Sequence, residues 1–372
     1  MKLPWLIPAL EADGPYLSVY LDTTRTDQRA ADELATRWAQ QRGTLRGAGA
    51  PDALLAEVEE TVLAPTRIGG RHGRAVLATE GGIVLDRVLP APPLQECAAW
   101  SDRPVLLPLL QLTPYAVSQL LIEVDRSGAD LHLRAPENPS IPQSENVLDG
   151  EAQVDGGHDE LHKTGRGGGS QHGWRSDNFE ARVEDSWERN AEAVAQSVQR
   201  LVARHRPQMV LATGDVRALS LLKDELGPDV LPLLREIPGG TRGQSLDRPT
   251  FRESVREATR EHIDARQREL ADRFAEEQGR GGTSVAGVDE VRQALERGQV
   301  EELIFVTGQE PAGIEELLAA AIRTDAGVSA LADGVATVPE GVGALLRWRD
   351  GATPSNSVGS MTGDSRRDHG AV

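Results

Sequence analysis

Cysteine is almost missing from this chain of 372 residues: Cys97 is the single one. That excludes an internal disulfide framework and a zinc site built on paired thiolates, and it fits a reducing compartment. Cys97 itself reads as a small buried apolar residue. Aromatic residues make up only 3% of the chain, and no run approaches the roughly 20 apolar residues that a membrane-spanning helix needs. Met1 to Leu10 carries one lysine, is interrupted by Pro4 and Pro8, and runs on into Glu11 and Asp13, unlike a secretory signal. A cytoplasmic protein that touches no membrane is expected.

Positive charge is also scarce. Forty Lys and Arg face 58 Asp and Glu, a formal net charge of −18. Generic nucleic-acid binding needs clustered cations to neutralise phosphates, so DNA is not an expected partner and any RNA contact must be local. The acidity suits solubility or a face turned toward a basic protein.

What is present reads as two or three α/β domains with ordinary cores. Tyr16 to Asp22 alternates as a first strand. Asp27 to Arg46 and Pro51 to Val62 are helical in composition, with Pro51 suited to the first helical position. Arg74 to Thr79 and Gly82 to Leu89 form a hairpin pattern through Glu80-Gly81. The proline-rich stretch Pro90 to Pro108 ends this unit, so the first domain is expected over 1–108. A second, over 109–206, opens with the strand Val117 to Asp125 and its hairpin partner Ala129 to Arg134. It closes with a helix from Asn178 to His205, whose Phe179, Val183, Trp187, Val194, Val198, Leu201 and Val202 make one apolar stripe. The third, over 207–350, starts with a short strand at Met209 to Thr213 and a helix to Leu226. A long charged helix follows, expected from the capping-box spacing of Thr250 to Glu253, with Phe251, Val255, Ala258, Leu270 and Phe274 on a sparse stripe. Helices at Asp289 to Gln299 and Ile314 to Arg323 then alternate with strands at Val300 to Thr307, Val328 to Leu331 and Gly343 to Trp348. Residues 351–372 lack periodicity and read as a disordered tail.

One stretch departs from the acidic background. Lys163 to Arg175 contains Lys163, Arg166, Gly167, Gly168, Gly169, Ser170, Gln171, His172 and Arg175, and no acidic residue. Three consecutive glycines let the backbone approach a ligand closely. Just before it, Glu145 to Glu160 is strongly acidic and reads as a solvated loop; His158, His162 and His172 lie beside those acids, but the surrounding glycines make a helical metal site a poor fit. Neither Gly165 to Ser170 nor Gly239-Gly-Thr-Arg-Gly243 meets the requirements of a nucleotide loop, and the sequence has no Gly-x-Ser-x-Gly, His-Glu-x-x-His or Cys-x-x-Cys. No enzyme signature, cofactor or metal is expected. By itself the basic segment reads as a disordered surface loop.

The order of elements changes that reading. A strand hairpin, a Gly-Arg-Gly-Gly loop with nearby Ser and Gln, and a long charged amphipathic helix resemble the middle domain of the archaeal and eukaryotic class-1 release factor and Pelota superfamily. Met209 to Asp215, with Gly287-Val-Asp-Glu-Val-Arg-Gln-Ala-Leu-Glu-Arg-Gly-Gln-Val-Glu-Glu-Leu-Ile-Phe-Val306, is similar to that superfamily's C-terminal domain. The chain thus resembles a bacterial, actinobacterial-type branch related to the ribosome hibernation factor Balon, over residues 110 to 350. The resemblance implies a three-domain, release-factor-like α/β architecture and a monomer. It also implies a 70S ribosome partner, with contacts near the decoding and peptidyl-transferase centres, and elongation factor Tu. In release factors the loop carries Gly-Gly-Gln; here Ser170 separates Gly168-Gly169 from Gln171. Misplacement by about 1 Å can cost on the order of a hundredfold in rate, so the resemblance implies A-site occupation of idle ribosomes without catalysis. Two alternatives stay open: a peptidyl-tRNA hydrolase acting in ribosome rescue, with Gln171 positioning water, and a stress-linked interaction protein that never meets the ribosome.

Overall fold

The computed structural model describes residues 1–25, 28–66, 71–134, 150–155, 174–245, 248–351 and 353. Nine α-helices and three sheets build a mixed α/β fold among them. In chain order they are α1 (Ile7–Glu11), β1 (Tyr16–Asp22), α2 (Gln28–Gly47), α3 (Asp52–Leu63), β2 (Gly73–Thr79), β3 (Gly82–Leu89), β4 (Cys97–Ser101), α4 (Leu107–Leu110), β5 (Gln119–Val124), β6 (Gly128–Arg134), β7 (Gly150–Asp155), α5 (Trp174–His205), β8 (Met209–Gly214), α6 (Val216–Glu225), β9 (Leu234–Glu236), α7 (Pro249–Gly279), β10 (Ser284–Ala286), α8 (Val288–Glu296), β11 (Val300–Val306), α9 (Ile314–Arg323), β12 (Gly327–Leu331) and β13 (Val342–Leu346).

The first sheet has the order β3-β2-β1-β4 and is antiparallel throughout. Alternation along β1 sends Leu17, Val19 and Leu21 to one face, where they bury against Leu34 and Trp38 of α2 and Leu55 and Val58 of α3. Its other face, with Tyr20, Ala75 and Leu77, runs without interruption into the core of the last sheet: Leu303, Phe305, Leu317, Leu318 and Val328 belong to the same cluster. Polar contacts follow the seam. Glu315 accepts from the N–H groups of Leu106 (2.8 Å) and Leu107 (3.2 Å), and the Val328 N–H donates to the Met1 carbonyl at 2.8 Å. Burial, with a minor push from Glu316, raises the Glu315 pKa despite those two donors.

The central sheet, β7-β6-β5-β8-β9, carries two corrections to the sequence reading. Met209–Gly214 does not open the third unit: β8 pairs in parallel with β5 from Gln119↔Met209 to Val124↔Gly214, so the break expected at residue 207 falls inside a sheet. A short, fully apolar strand carries no signal of which sheet takes it. The acidic stretch also contains a strand, since β7 pairs with β6 at the edge of the sheet. Likewise β4 forms inside the proline-rich stretch, with Cys97 half-buried on it, and Thr353 packs against the fold by accepting from Gln299 Nε2 at 2.9 Å.

Helices cover both faces of the central sheet. Val194, Val198 and Val202 of α5 and Leu219 and Leu222 of α6 bury Leu120, Ile122, Leu131 and Val210. On the other face Phe251 and Ile263 of α7 meet Leu121, Met209, Leu211 and Ile237. Further along α7, Ala271 and Phe274 bury against Ile304, Val306, Leu331 and Leu345 of the last sheet, β10-β13-β11-β12. At 1.5 Å per residue its 31 residues span about 46 Å, long enough for one helix to serve two cores. Its start departs from expectation: Arg248 is the N-cap and makes no side-chain capping bond, with Pro249 opening the first turn.

Candidate functional site

Strands β5, β7, β8 and β9 run the same way, so their carboxyl ends lie together at one end of the central sheet. At the β5/β8 junction the connections diverge: β5 continues leftward into β6, while β8 continues through α6 to β9 on the right. In open α/β sheets such a divergence at the carboxyl ends is where ligands meet the fold. Gly214 makes the junction possible. Its φ is +137°, and a Cβ there would lie 1.8 Å from the Val124 carbonyl oxygen.

Charged groups gather around this junction in three linked sets. Asp125, just after β5, accepts from the N–H groups of Ser127 (2.8 Å) and Gly128 (3.0 Å) and closes the β5–β6 hairpin. Arg242 then ties the hairpin to the loop after β9, donating from Nε to Asp130 Oδ1 at 3.0 Å and from Nη1 to Asp125 Oδ1 at 3.2 Å and Ser127 Oγ at 3.0 Å. Burial opposes ionisation of Asp125, but the Ser127 bonds and the Arg242 charge outweigh it and hold its pKa low. In the second set Asp215 caps α6 through the N–H groups of Arg217 (3.0 Å) and Ala218 (3.1 Å) and pairs with Arg126 at 3.3 Å. The Arg126 guanidinium lies 4.4 Å from the Trp187 ring, and Asn190 Nδ2 donates to the Arg126 carbonyl at 2.8 Å.

The third set lies beneath the first. Glu123 interrupts the apolar pattern of β5 on the α7 face and is only 2% exposed. Its Oε2 accepts from the Gly243 N–H at 2.7 Å and stands 3.9 Å from His132 Nε2, an ion-pair distance beyond hydrogen-bond reach. Burial pushes its pKa up; the neighbouring His132 imidazole and then the Gly243 N–H push it further down, to a net value below the usual range. Gly240 donates to Thr213 Oγ1 at 3.0 Å, and a Cβ on Gly240 would sit 2.2 Å from that oxygen, so the 239–245 loop lies flat on β8. A carboxylate and an imidazole could serve acid–base chemistry; here Glu123 is buried and His132 partly exposed. The bond from the Gly243 N–H to Glu123 pins the loop.

From this end the chain leaves β7 at Asp155 and re-enters at Trp174 of α5. Trp187 and Asn190 sit level with the hairpin, and residues 174–186 add about 20 Å of helix before that level at 1.5 Å per residue. Lys163, Arg166, Gly167, Gly168, Gly169, Ser170, Gln171 and His172 lie outside the described residues, as do His158 and His162. Arg175 is the second residue of α5, which starts four residues before the expected Asn178. Glu123, Arg126, Asp125, Asp215 and Arg242 escaped sequence reasoning. The available signals were a lone Glu in an apolar strand and the Gly239-Gly-Thr-Arg-Gly243 run, whose role is structural rather than nucleotide-binding.

Residues 118–280 match the model of bacterial archaeo-eukaryotic release factor family 2, a span running from the start of β5 to the end of α7. The uncharacterized protein Rv2629 of Mycobacterium tuberculosis strain H37Rv is 29% identical over 305 residues, covering 82% of this chain and 77% of that one. Among solved structures, Archaeoglobus fulgidus Pelota aligns over 93% of this chain and 92% of its own at 12% identity and a TM-score of 0.34. Archaeal translation termination factor aRF1 aligns over 92% and 96% at 14% identity and a TM-score of 0.22. Similarity at that level carries no functional argument, so the assignment rests on the central residues. Residues 118–280, under half of the chain, are thus similar to bacterial archaeo-eukaryotic release factor family 2.

Proposed function

We propose that the protein is a ribosome-associated translation factor that occupies the A site of idle ribosomes, with the 163–175 segment leading, and does so without cleaving the peptidyl-tRNA ester. The observation that carries this reading is the rooting of the segment. A stretch with Lys163, Arg166 and Arg175 and no acidic residue lies in the chain between β7, which ends at the carboxyl end of the central sheet, and the N-terminal turns of α5. Cations clustered in one short segment can meet ribosomal RNA phosphates while the net charge of −18 keeps the remainder of the surface off nucleic acid.

Binding does not need the geometry that hydrolysis needs. Gln171 follows Ser170 rather than Gly169, which removes the Gly-Gly-Gln tripeptide and with it the basis for placing water against the ester. Elongation factor Tu is the proposed delivery partner, and the assembly acts in dormancy or stress. The test is pelleting of the purified protein with idle 70S ribosomes at low and moderate salt, with and without elongation factor Tu. Stoichiometric pelleting is expected, weakened when Lys163, Arg166 and Arg175 are all changed to Glu. No pelleting in any condition removes the ribosome from the account. Peptide release from stalled complexes that is lost in Gln171→Ala would replace the non-catalytic reading with a hydrolase.

A further inference from the structure

Positive charge collects a second time at the C-terminal end of α5. Between Glu192 and Asp215 the sequence has no acidic residue, and Arg200, Arg204, His205 and Arg206 fall together inside that interval. Val194, Val198 and Val202 bury against the central sheet; at 100° per residue, Arg200 and Arg204 lie about 160° and 120° around the helix from Val198, on its outer side. Both are exposed, as are His205 and Arg206. The end of α6 comes near through Gln199, whose Nε2 donates to the Glu225 carbonyl at 3.3 Å, but Arg200 and Arg204 are turned about 100° and 140° from Gln199. Beyond Arg206, Gln208 lines a cleft with Glu269, Glu301 and Glu302. Among the described residues no carboxylate stands within ion-pair reach of Arg200, Arg204 or Arg206; Arg200 donates to Ser197 Oγ at 2.8 Å. A lone unpaired arginine such as Arg268 differs, because Asp264 and Asp272 stand four residues to either side of it and Glu269 is adjacent.

Two local choices at this end of α5 work against stability. Arg200 and Arg204 are like charges four residues apart on one helix face, an arrangement that destabilises a helix. Arg206 has a φ of +48°, and its N–H donates to the Val202 carbonyl at 2.8 Å, which is the helix stop that favours glycine. Two other non-glycine residues among those described take positive φ, Asp325 and Glu340. Each uses its side chain inside the fold: Asp325 pairs with Lys2, and Glu340 Oε2 accepts from the Val288 N–H at 2.8 Å. Arg206 has no such internal use. Cations in a last turn complement the helix dipole, which accounts for Arg204 but not for Arg200, a turn further in, nor for an arginine in the left-handed region.

We infer that Arg200, Arg204 and Arg206 form a contact surface for the phosphate backbone of RNA. The inference rests on the ribosome reading for the source of that RNA. Protein interfaces centre on aromatic and apolar anchors, and among the described residues none of the large exposed apolar side chains lies on α5 or in 206–208; guanidinium groups alone suffice for phosphates. Arg175 and Arg204 are about 44 Å apart along α5 at 1.5 Å per residue, so one helix carries cations to RNA at both of its ends.

The experiment uses the full chain in four forms: wild type, Arg200→Gln with Arg204→Gln and Arg206→Gln, Arg206→Gly alone, and the triple charge reversal at Lys163, Arg166 and Arg175. In pelleting with idle 70S ribosomes across a salt series, the triple Gln variant should bind at least about tenfold more weakly, with the slope of log affinity against log salt reduced by roughly 2.1–2.7 for three lost phosphate contacts. Arg206→Gly should hold or raise the urea midpoint, since glycine fits that φ without strain, and yet bind about threefold more weakly; a helix-stop role alone leaves binding unchanged, and that result overturns the inference. Wild type that pellets while the triple Gln variant matches its affinity and slope also overturns it and leaves the ribosome reading standing. If wild type does not pellet, the ribosome reading fails, and anisotropy with a short fluorescein-labelled RNA duplex decides the site alone. Duplex binding lost in the triple Gln variant and retained in the tip variant upholds the inference. No duplex binding by wild type, binding kept in the triple Gln variant, or displacement by polyglutamate as readily as by unlabelled RNA overturns it.

Discussion

Replacing Arg242 by Met removes the guanidinium that joins the β5–β6 hairpin to the 239–245 loop while keeping most of the side-chain volume. The arginine is 11% exposed and donates to Ser127 Oγ and to the carboxylates of Asp125 and Asp130, the last two at 3.2 and 3.0 Å. Hydrogen bonds to charged groups contribute about 1.5–3 kcal/mol each, so the gross loss is on the order of 3–6 kcal/mol. Asp125 and Asp130 are 41% and 24% exposed, and water partly re-solvates both, which brings the net loss to about 2–3 kcal/mol. For a cooperative unit the size of the matched region, that is a fall in Tm of roughly 5–10 °C. Urea unfolding followed by tryptophan fluorescence is the assay, helped by Trp187 lying in this unit against Arg126. The loss should persist at high salt, because a largely buried guanidinium is screened little. A loss below about 0.5 kcal/mol, the range of ordinary surface substitutions, would refute the claim that Arg242 pins the loop.

Three further outcomes are expected. Glu123 has a folded-state pKa below its unfolded value, so its ionised form stabilises the fold above the unfolded pKa and that stability is lost as pH falls through the folded one; the advantage of wild type over Glu123→Gln in urea midpoint should shrink between about pH 6 and pH 3. Gly214→Ala forces a Cβ to 1.8 Å from the Val124 carbonyl oxygen at a φ of +137°, and the β5/β8 junction should lose more than about 2 kcal/mol by thermal unfolding. Phe274→Ala empties the site where α7 enters the last sheet's core and should cost about 3–5 kcal/mol, with amide exchange accelerated in β11 and β13 as well as in α7; exchange confined to α7 would contradict the shared-core description.

Most elements were legible because their patterns are local. The stripe of Val194, Val198 and Val202 on α5 and the alternation of Tyr16 to Asp22 each follow from a single periodicity. The family resemblance was legible for the same reason, as a local order of hairpin, glycine loop and helix that the match over residues 118–280 supports. Partnership was not legible. Nothing in Met209–Gly214 says that it will pair with β5, and nothing in Tyr20 or Leu77 says that Phe305 will complete their core, because those choices depend on contacts far apart in sequence. β7 and β4 were missed since charge and proline mask short edge strands. The loop that seals Glu123 was seen as a glycine motif, but the buried acid beneath it becomes evident only when β5 and the 239–245 loop are superposed in space.

The continuous core between the first and last sheets bears on how the chain must be made. The face of β1 and β2 that carries Tyr20, Ala75 and Leu77 shares its core with Leu3 to Leu10 and Leu106 to Leu112, all made by residue 112, yet its partners from the last sheet begin at Val285. A ribosome adding 5–20 residues per second takes about 9–34 s to traverse the intervening 172 positions. During that interval α2 and α3 can close one side of the nascent sheet while the other has only its local cover and lacks the last sheet. The central domain is synthesised entirely within this window, so it can fold before the segments on either side of it have found each other. The final step of biogenesis is then a closure around a finished insert, and it is the step at which a trigger-factor-like chaperone has most to protect.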